Sequence, residues 1–445
     1  MDMPYIPHTV EDRQEMLATI GARSIDELFR EIPDDLKIAP QSLNIPSALD
    51  ESKLLAHLTQ ISRKNVDLTR VVSFLGAGAY DRFIPATVNA VISRGEFLTA
   101  YTPYQPEFSQ GYLQSIYEFQ SMIAELYGMD VANASMYDGA TSLAEAAILA
   151  HGVTGRKKIY VSEAVHPHYR QVLDTYCWSM DLDVVQMPTE GGYTKIGELE
   201  DAACILIQYP NFFGSIEDLA AARKAATDSG AMFIVCADPV AMALITPPGE
   251  FGADIVVGEG QQLGVPMGLG GPYVGLFACK SEFVRRIPGR IVGRTTDHDG
   301  REGFVMTLRT REQDIRREKA TSNICTNEAL MALACTVYLE AMGKNGLKQV
   351  AETSVRNTQY TMKALTQAGA KLKYPNAKVF DEFVVELPKD ASEVRDKLID
   401  KGFLAGLPLG PYYKDQANCL LVAVTENRSK EQIDAFASAL KEVIR

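Results

Sequence analysis

Between residues 71 and 320 this chain repeats one pattern: a strand-length apolar run, then a helix-length amphipathic segment. The runs are Lys158–Val161, Cys204–Gln208, Met232–Val235, Asp254–Val257 and Tyr273–Ala278, and the helical stretches lie near 140–151, 166–178 and 216–229. Runs that are apolar throughout predict strands buried on both faces, and helices between them predict βαβ units in a mostly parallel sheet covered on both sides. In such sheets ligands sit at the carboxyl ends of the strands. Asp238 and the turn Glu259-Gly260-Gln261-Gln262-Leu263 both fall at such ends.

The flanks read differently. Residues 1–70 predict a helical arm. Thr9 with Asp12 and Ser24 with Glu27 are capping signals, and Pro33, Pro40 and Pro46 mark an irregular crossing. Neither helix is large enough to hold its own core. Residues 71–325 form the large α/β domain. A long helix over 327–345 connects it to a smaller α/β domain that completes 326–445, with strand patterns in Lys371–Leu387 and Leu420–Val424 and helices over Ala391–Lys401 and Lys430–Ile444.

Composition excludes several classes of function. A net charge of −13 argues against nucleic acid as a partner, because phosphate binding needs a basic surface. Arginines do gather between Arg285 and Arg317, but Asp297, Asp299, Glu302, Glu312, Asp314 and Glu318 interleave with them, as in a solvated or interface-lining segment. The seven cysteines are scattered without a CxxC spacing, which fits a reducing compartment and not zinc. The acidic N-terminus lacks the apolar core of a secretory signal, and no apolar run reaches membrane-spanning length. The expectation is a cytoplasmic protein with no membrane contact.

Four segments could carry chemistry. Tyr137-Asp138-Gly139-Ala140-Thr141-Ser142 opens a helix, either as a phosphate cradle offering free N–H groups and the Thr141 hydroxyl, or as a plain N-cap by Asp138. His166 opens the next helix at a strand's carboxyl end. It could stack on a flat ring or be a capping histidine, and without a third ligand His166 and His168 make no metal site. Asp238 could pair with a protonated ring nitrogen or cap the turn before Pro239. The loop Tyr101-Thr102-Pro103-Tyr104-Gln105-Pro106-Glu107-Phe108-Ser109-Gln110 sets polar side chains on a proline-stiffened backbone, a composition typical of a site or interface. Phe74–Asp81 is glycine-rich but has no strand–GxGxxG–helix context for a dinucleotide.

A strand ending in Asp, then a strand running through a polar turn into a glycine-rich loop, is how one large class of pyridoxal phosphate (PLP) enzymes builds its cofactor site. There the turn carries the lysine that forms a Schiff base. The segments YIPHTVEDRQEML, FLGAGAYDRFIP, YTPYQPEFSQGYLQ, YDGATSLAEA and GLGGPYVG together resemble the glycine decarboxylase family, the P protein of the glycine cleavage system. That resemblance implies PLP-dependent transferase fold type I (aspartate-aminotransferase-like): α/β, with a mixed, mostly parallel sheet and a smaller C-terminal α/β domain. It also implies decarboxylation of glycine and transfer of the aminomethyl group to the lipoyl arm of an H protein.

Within that family two homologous halves occur, fused or as separate subunits, and one half carries a His-Lys pair in the turn. Here those positions are Gln261 and Gln262, and a glutamine amide cannot form a Schiff base. Lys280, the nearest lysine downstream, lies at the far end of the glycine-rich strand and is expected to be exposed. The resemblance therefore implies the lysine-lacking half, in an α2β2 assembly whose lysine-bearing partner holds PLP. Asp138, Thr141, His166 and Asp238 would line a vestigial pocket. Tyr101, Tyr104, Gln105, Glu107, Ser109 and Gln110, with the glycine-rich loop 268–271, would reach into the partner's site.

Overall fold

The computed structural model describes residues 7–38 and 43–445; Tyr5, Ile6 and Pro40 of the segments above lie outside the described residues. The chain divides into two units, residues 1–66 and 67–445.

In the first unit α1 (Val10–Ile20) starts on the expected capping box: Thr9 Oγ1 accepts from the Asp12 amide at 3.2 Å, and Asp12 Oδ2 accepts from the Thr9 amide at 2.7 Å. The second signal fails. Ser24 makes no capping bond and Ile25–Phe29 is a single 3-10 stretch, because the Glu27 carboxylate binds the Arg23 backbone and guanidinium at 2.8 and 2.7 Å. Helix α2 (Glu51–Ser62) is capped by Asp50. No described residue of this unit is buried.

The second unit is built on a seven-stranded sheet. Its strands are β1 (Val131–Ala132), β2 (Lys158–Ser162), β3 (Asp183–Met187), β4 (Ala202–Tyr209), β5 (Met232–Ala237), β6 (Ile255–Glu259) and β7 (Gly275–Cys279). Their order across the sheet is β1-β7-β6-β5-β4-β2-β3, parallel except for β7, which runs antiparallel to both neighbours. The apolar runs bury both faces. Ile205, Ile207, Phe233, Val235 and Val256 enter one core, while Cys204, Leu206, Ile234, Cys236 and Val257 enter the other. Helices α3 (Gln110–Tyr127), α4 (Gly139–Thr154), α5 (Pro167–Ser179) and α6 (Leu219–Ser229) cover the faces. A hairpin of β8 (Ile291–Thr296) and β9 (Glu302–Thr307) packs on α3.

The connecting helix α7 runs over Ala329–Ala368, well beyond the expected 327–345, with a break at Gly343 (φ 60°, ψ −179°). Its second half hides from hydrophobic periodicity because Ser354, Thr358 and Thr361 stand at buried positions. Their side chains are tolerated there because Ser354 and Thr361 donate to the Val350 and Asn357 carbonyls one turn back, at 3.0 and 2.8 Å. The small domain is a four-stranded antiparallel sheet of β10 (Lys371–Leu372), β11 (Glu382–Glu386), β12 (Leu407–Pro408) and β13 (Cys419–Ala423), backed by α8 (Ala391–Ile399) and α9 (Lys430–Ile444). Its Glu382 edge meets the large domain so closely that a Cβ on Gly214 (φ +84°) would overlap the Glu382 carbonyl. No described helix is long and apolar enough to cross a membrane.

Candidate functional site

The carboxyl edge of β4, β5 and β6, the start of α5 and the small-domain residues Asp381 and Glu382 enclose a cavity of about 50 Å³. That is room for a few waters and far below the ~300 Å³ at which ligand pockets begin. Four of its lining side chains are carboxylates: Asp238, Glu259, Asp381 and Glu382.

Asp238 does cap a turn. Its Oδ1 accepts from the Val240 and Ala241 amides at 2.8 and 2.9 Å, and its Oδ2 accepts from Gln262 Nε2 at 2.6 Å. The other end of the Gln262 amide, Oε1, accepts from Arg82 Nε and Nη2 at 2.8 and 2.6 Å. Arg82 is buried and also binds Asp381, Glu426 Oε2 at 2.9 Å and Ser354 Oγ at 2.9 Å. Burial works against its charge, but the two carboxylates hold it protonated, above the ordinary arginine range. An amide has both a donor and an acceptor end, so it can bridge a carboxylate to a guanidinium where an ammonium could not. Gln261 ties the same turn to the Phe74–Asp81 segment: its Oε1 accepts from the Tyr80 amide at 2.8 Å and its Nε2 donates to the Tyr80 carbonyl at 3.1 Å.

Two amides at the start of α4 are likewise bound from within. Asp138 Oδ1 accepts from the Thr141 amide at 2.8 Å, which is the plain N-cap. The Gly139 amide donates to Glu259 Oε2 at 3.0 Å, and Glu259 Oε1 accepts from the Gln261 and Val274 amides at 3.1 Å each. A carboxyl group thus stands where a helix N-terminus would otherwise hold a phosphate. Burial pushes that carboxyl up to about 7, against the pull of its three backbone donors.

His166 lines the cavity, with one face of its ring already taken. Its ring stacks on Tyr169 (centroids 4.7 Å apart, 23° between planes) and meets the edge of Phe212 at 4.8 Å. Its Nε2 bonds the Ala77 carbonyl at 2.8 Å and its Nδ1 accepts from the His168 amide at 3.1 Å, a neutral tautomer consistent with burial pushing the imidazole down to about 4. Tyr169 in turn reaches the α4 start: a Cβ on Gly139 would lie 2.6 Å from its hydroxyl. Tyr169, Glu259, Arg82 and Glu382 were not assigned roles from sequence. Tyr169 could have been found from its place one helical turn after His166, and Glu259 as a charge ending an otherwise apolar strand.

Lys280 is half-buried rather than exposed, and its ammonium pairs with Asp254 beside the start of β6, at the opposite edge of the sheet from the cavity. The 101–110 loop does not enter the cavity either. Tyr101 and Phe108 are more than four-fifths exposed. Gln110 anchors the loop's end on β9, accepting from the Phe304 amide at 2.8 Å and donating to its carbonyl at 2.9 Å, and Arg309 lies over the Tyr104 ring at 5.7 Å. In the glycine-rich loop Leu269 is fully exposed.

A sheet of this order, with its single antiparallel strand and a helix start facing the strand that ends in Asp238, defines the PLP-dependent fold type I class. A cysteine desulfurase from Thermococcus onnurineus NA1 has the same fold at 17% identity (TM-score 0.63, covering 90% of this chain and 99% of that one). The sequence profile described as "Glycine cleavage system P-protein" matches residues 3–440, and the chain belongs to that family. It is 51% identical to a protein of Anoxybacillus flavithermus named probable glycine dehydrogenase (decarboxylating) subunit 1, over 98% of both chains. It is 50% identical to the protein of that name in Geobacillus kaustophilus, again over 98% of both. A crystal structure of glycine decarboxylase (P-protein) in inhibitor-bound form superposes with a TM-score of 0.92 at 45% identity, covering 99% of this chain and 100% of that one.

Membership of the class raises the question of whether this chain's pocket fits PLP. It does not. The Gly139 and Thr141 amides at the α4 start are bound to Glu259 and Asp138, and Tyr169 fills the space against Gly139. The acceptors of Asp238 are taken up by the turn and Gln262, and Gln262 itself is not nucleophilic. A phosphate dianion would also have to displace a buried carboxyl group among three others.

Proposed function

We propose that this chain is the half of a P protein that carries no covalent PLP and completes the site of a lysine-bearing homologous subunit in an α2β2 enzyme. In this reading the assembled enzyme decarboxylates glycine and passes the aminomethyl group to the lipoyl arm of the H protein, with PLP on the partner. The observation that carries the reading is Gln262, held between Asp238 and Arg82 at the lysine position. What this chain offers is the exposed, stiff loop 101–110, with the hydroxyls of Tyr101, Tyr104 and Ser109, the amide of Gln105 and the carboxylate of Glu107 on a backbone anchored by Gln110. The loop 268–271 is the second element directed at the partner.

Rates measured in the assembled complex test this. Tyr104→Phe and Glu107→Gln are each expected to lower kcat tenfold or more, about 1.4 kcal/mol, while the complex elutes unchanged. Unaltered turnover in both variants would instead support a purely structural role for this chain.

A further inference from the structure

The arginine-rich segment singled out in the sequence folds into a cleft of about 430 Å³ for which the proposed function has no use. Its walls carry Arg285, Arg286, Arg311 and Arg316, with Thr310 and Thr321, and no carboxylate. The acidic residues interleaved in the sequence turn elsewhere: Glu312 and Asp314 both pair with Arg309. The cleft lies beyond β7, whose last residue Cys279 pairs with Ile255 at the start of β6, so it sits at the edge of the sheet opposite the Asp238 cavity.

The arginines are under-used. Arg286 donates to the Gly152 carbonyl at the end of α4 at 2.6 Å. Arg311 spends one nitrogen on the Ile287 carbonyl, and its Nε and Nη2 are buried without a partner. The side chains of Arg285 and Arg316 make no hydrogen bond or ion pair with any described residue. Leaving guanidinium N–H groups buried and unsatisfied is costly, which favours an oxyanion there. Four guanidinium groups converge on a cleft whose walls hold no carboxylate, the nearest counter-charge to Arg311 being Glu312 behind it, in a chain whose net charge of −13 supplies carboxylates in excess. Planar donors matched to oxyanions, with two threonines beside them, in a volume within the range of small-ligand sites, define the complement of a doubly charged oxyanion.

We propose that this cleft binds a phosphate-bearing small molecule, its dianion held between Arg311 and Arg316 with Arg285 and Arg286 at the rim. The test is calorimetric titration of the assembled protein with inorganic phosphate and with pyrophosphate in about 0.15 M salt, where non-specific surface attraction is screened within ~8 Å. Saturable binding at one site per chain is expected, weakened at least tenfold in Arg285→Ala/Arg316→Ala, a double variant of solvent-facing residues that leaves the fold and basal turnover unchanged. Arg311→Lys, which keeps the charge but loses the fork, should weaken binding too. Absence of saturable heat, or equal affinity in the double variant (an adventitious ion only), would overturn the proposal.

Discussion

The Asp238 cavity and the 101–110 loop hold similar side chains and use them in opposite ways. In the cavity Asp238, Glu259, Gln261, Gln262 and Arg82 are each bonded to groups of the same chain. In the loop Tyr101, Tyr104 and Phe108 stand in solvent, and its fixed point is the Gln110 bond to β9. Burying polar groups is tolerable only when they are satisfied, so a site that has lost its ligand must close on itself or unfold. A surface loop has no such constraint and can keep its groups free for another molecule. The difference separates residues that stabilise this chain from the exposed residues that the proposed function directs at the partner.

Substitutions should therefore sort by region. Arg82→Met leaves Asp381 and Glu426 buried without their cation and is expected to cost about 3–5 kcal/mol in urea unfolding. A loss under ~1 kcal/mol would mean that the cavity network is not what closes the site. Gly214→Ala, with φ at +84° and its Cβ against the Glu382 carbonyl, should cost about 2–3 kcal/mol by the same measurement, unless the small domain shifts freely.

The Glu259 carboxyl predicts a pH effect. Its folded value of about 7 lies above the 4.5 of an exposed glutamate, so the folded state holds a proton that the unfolded chain has already lost. The stability it contributes is fully present below about 4.5 and is lost as pH rises from there to about 7, with a slope of order 1 kcal/mol per pH unit between the two. Thermal melts of Glu259→Gln should show a flatter profile over that window, and an unchanged profile would assign the slope to other groups. Asp138→Ala, the loss of one N-cap, should cost about 1 kcal/mol. Tyr104→Phe and Glu107→Gln should move stability by less than ~0.5 kcal/mol, even though the same changes are expected to slow the assembled enzyme.

The sheet was legible in the sequence because strands buried on both faces read as uninterrupted apolar runs, as in Met232–Val235 and Asp254–Val257. The second half of α7 was not, because Ser354, Thr358 and Thr361 occupy its buried face. At the cavity, the positions of Asp138, Asp238 and Gln262 could be located from their places at strand and helix ends. Their partners could not. Arg82 lies 180 residues from Gln262, and Glu259 lies 120 from Gly139, separations that no local pattern encodes. The ring against His166 is the exception, because Tyr169 lies one turn on in the same helix.

This chain's pocket is filled by its own side chains, and the proposed function places the cofactor on the partner. The most direct measurement is borohydride reduction of the assembled enzyme saturated with PLP, followed by peptide mapping of both chains. The account predicts one reduced pyridoxyl group per αβ pair, on the partner's lysine, and none on this chain. A stoichiometric pyridoxyl-lysine within this chain would contradict it.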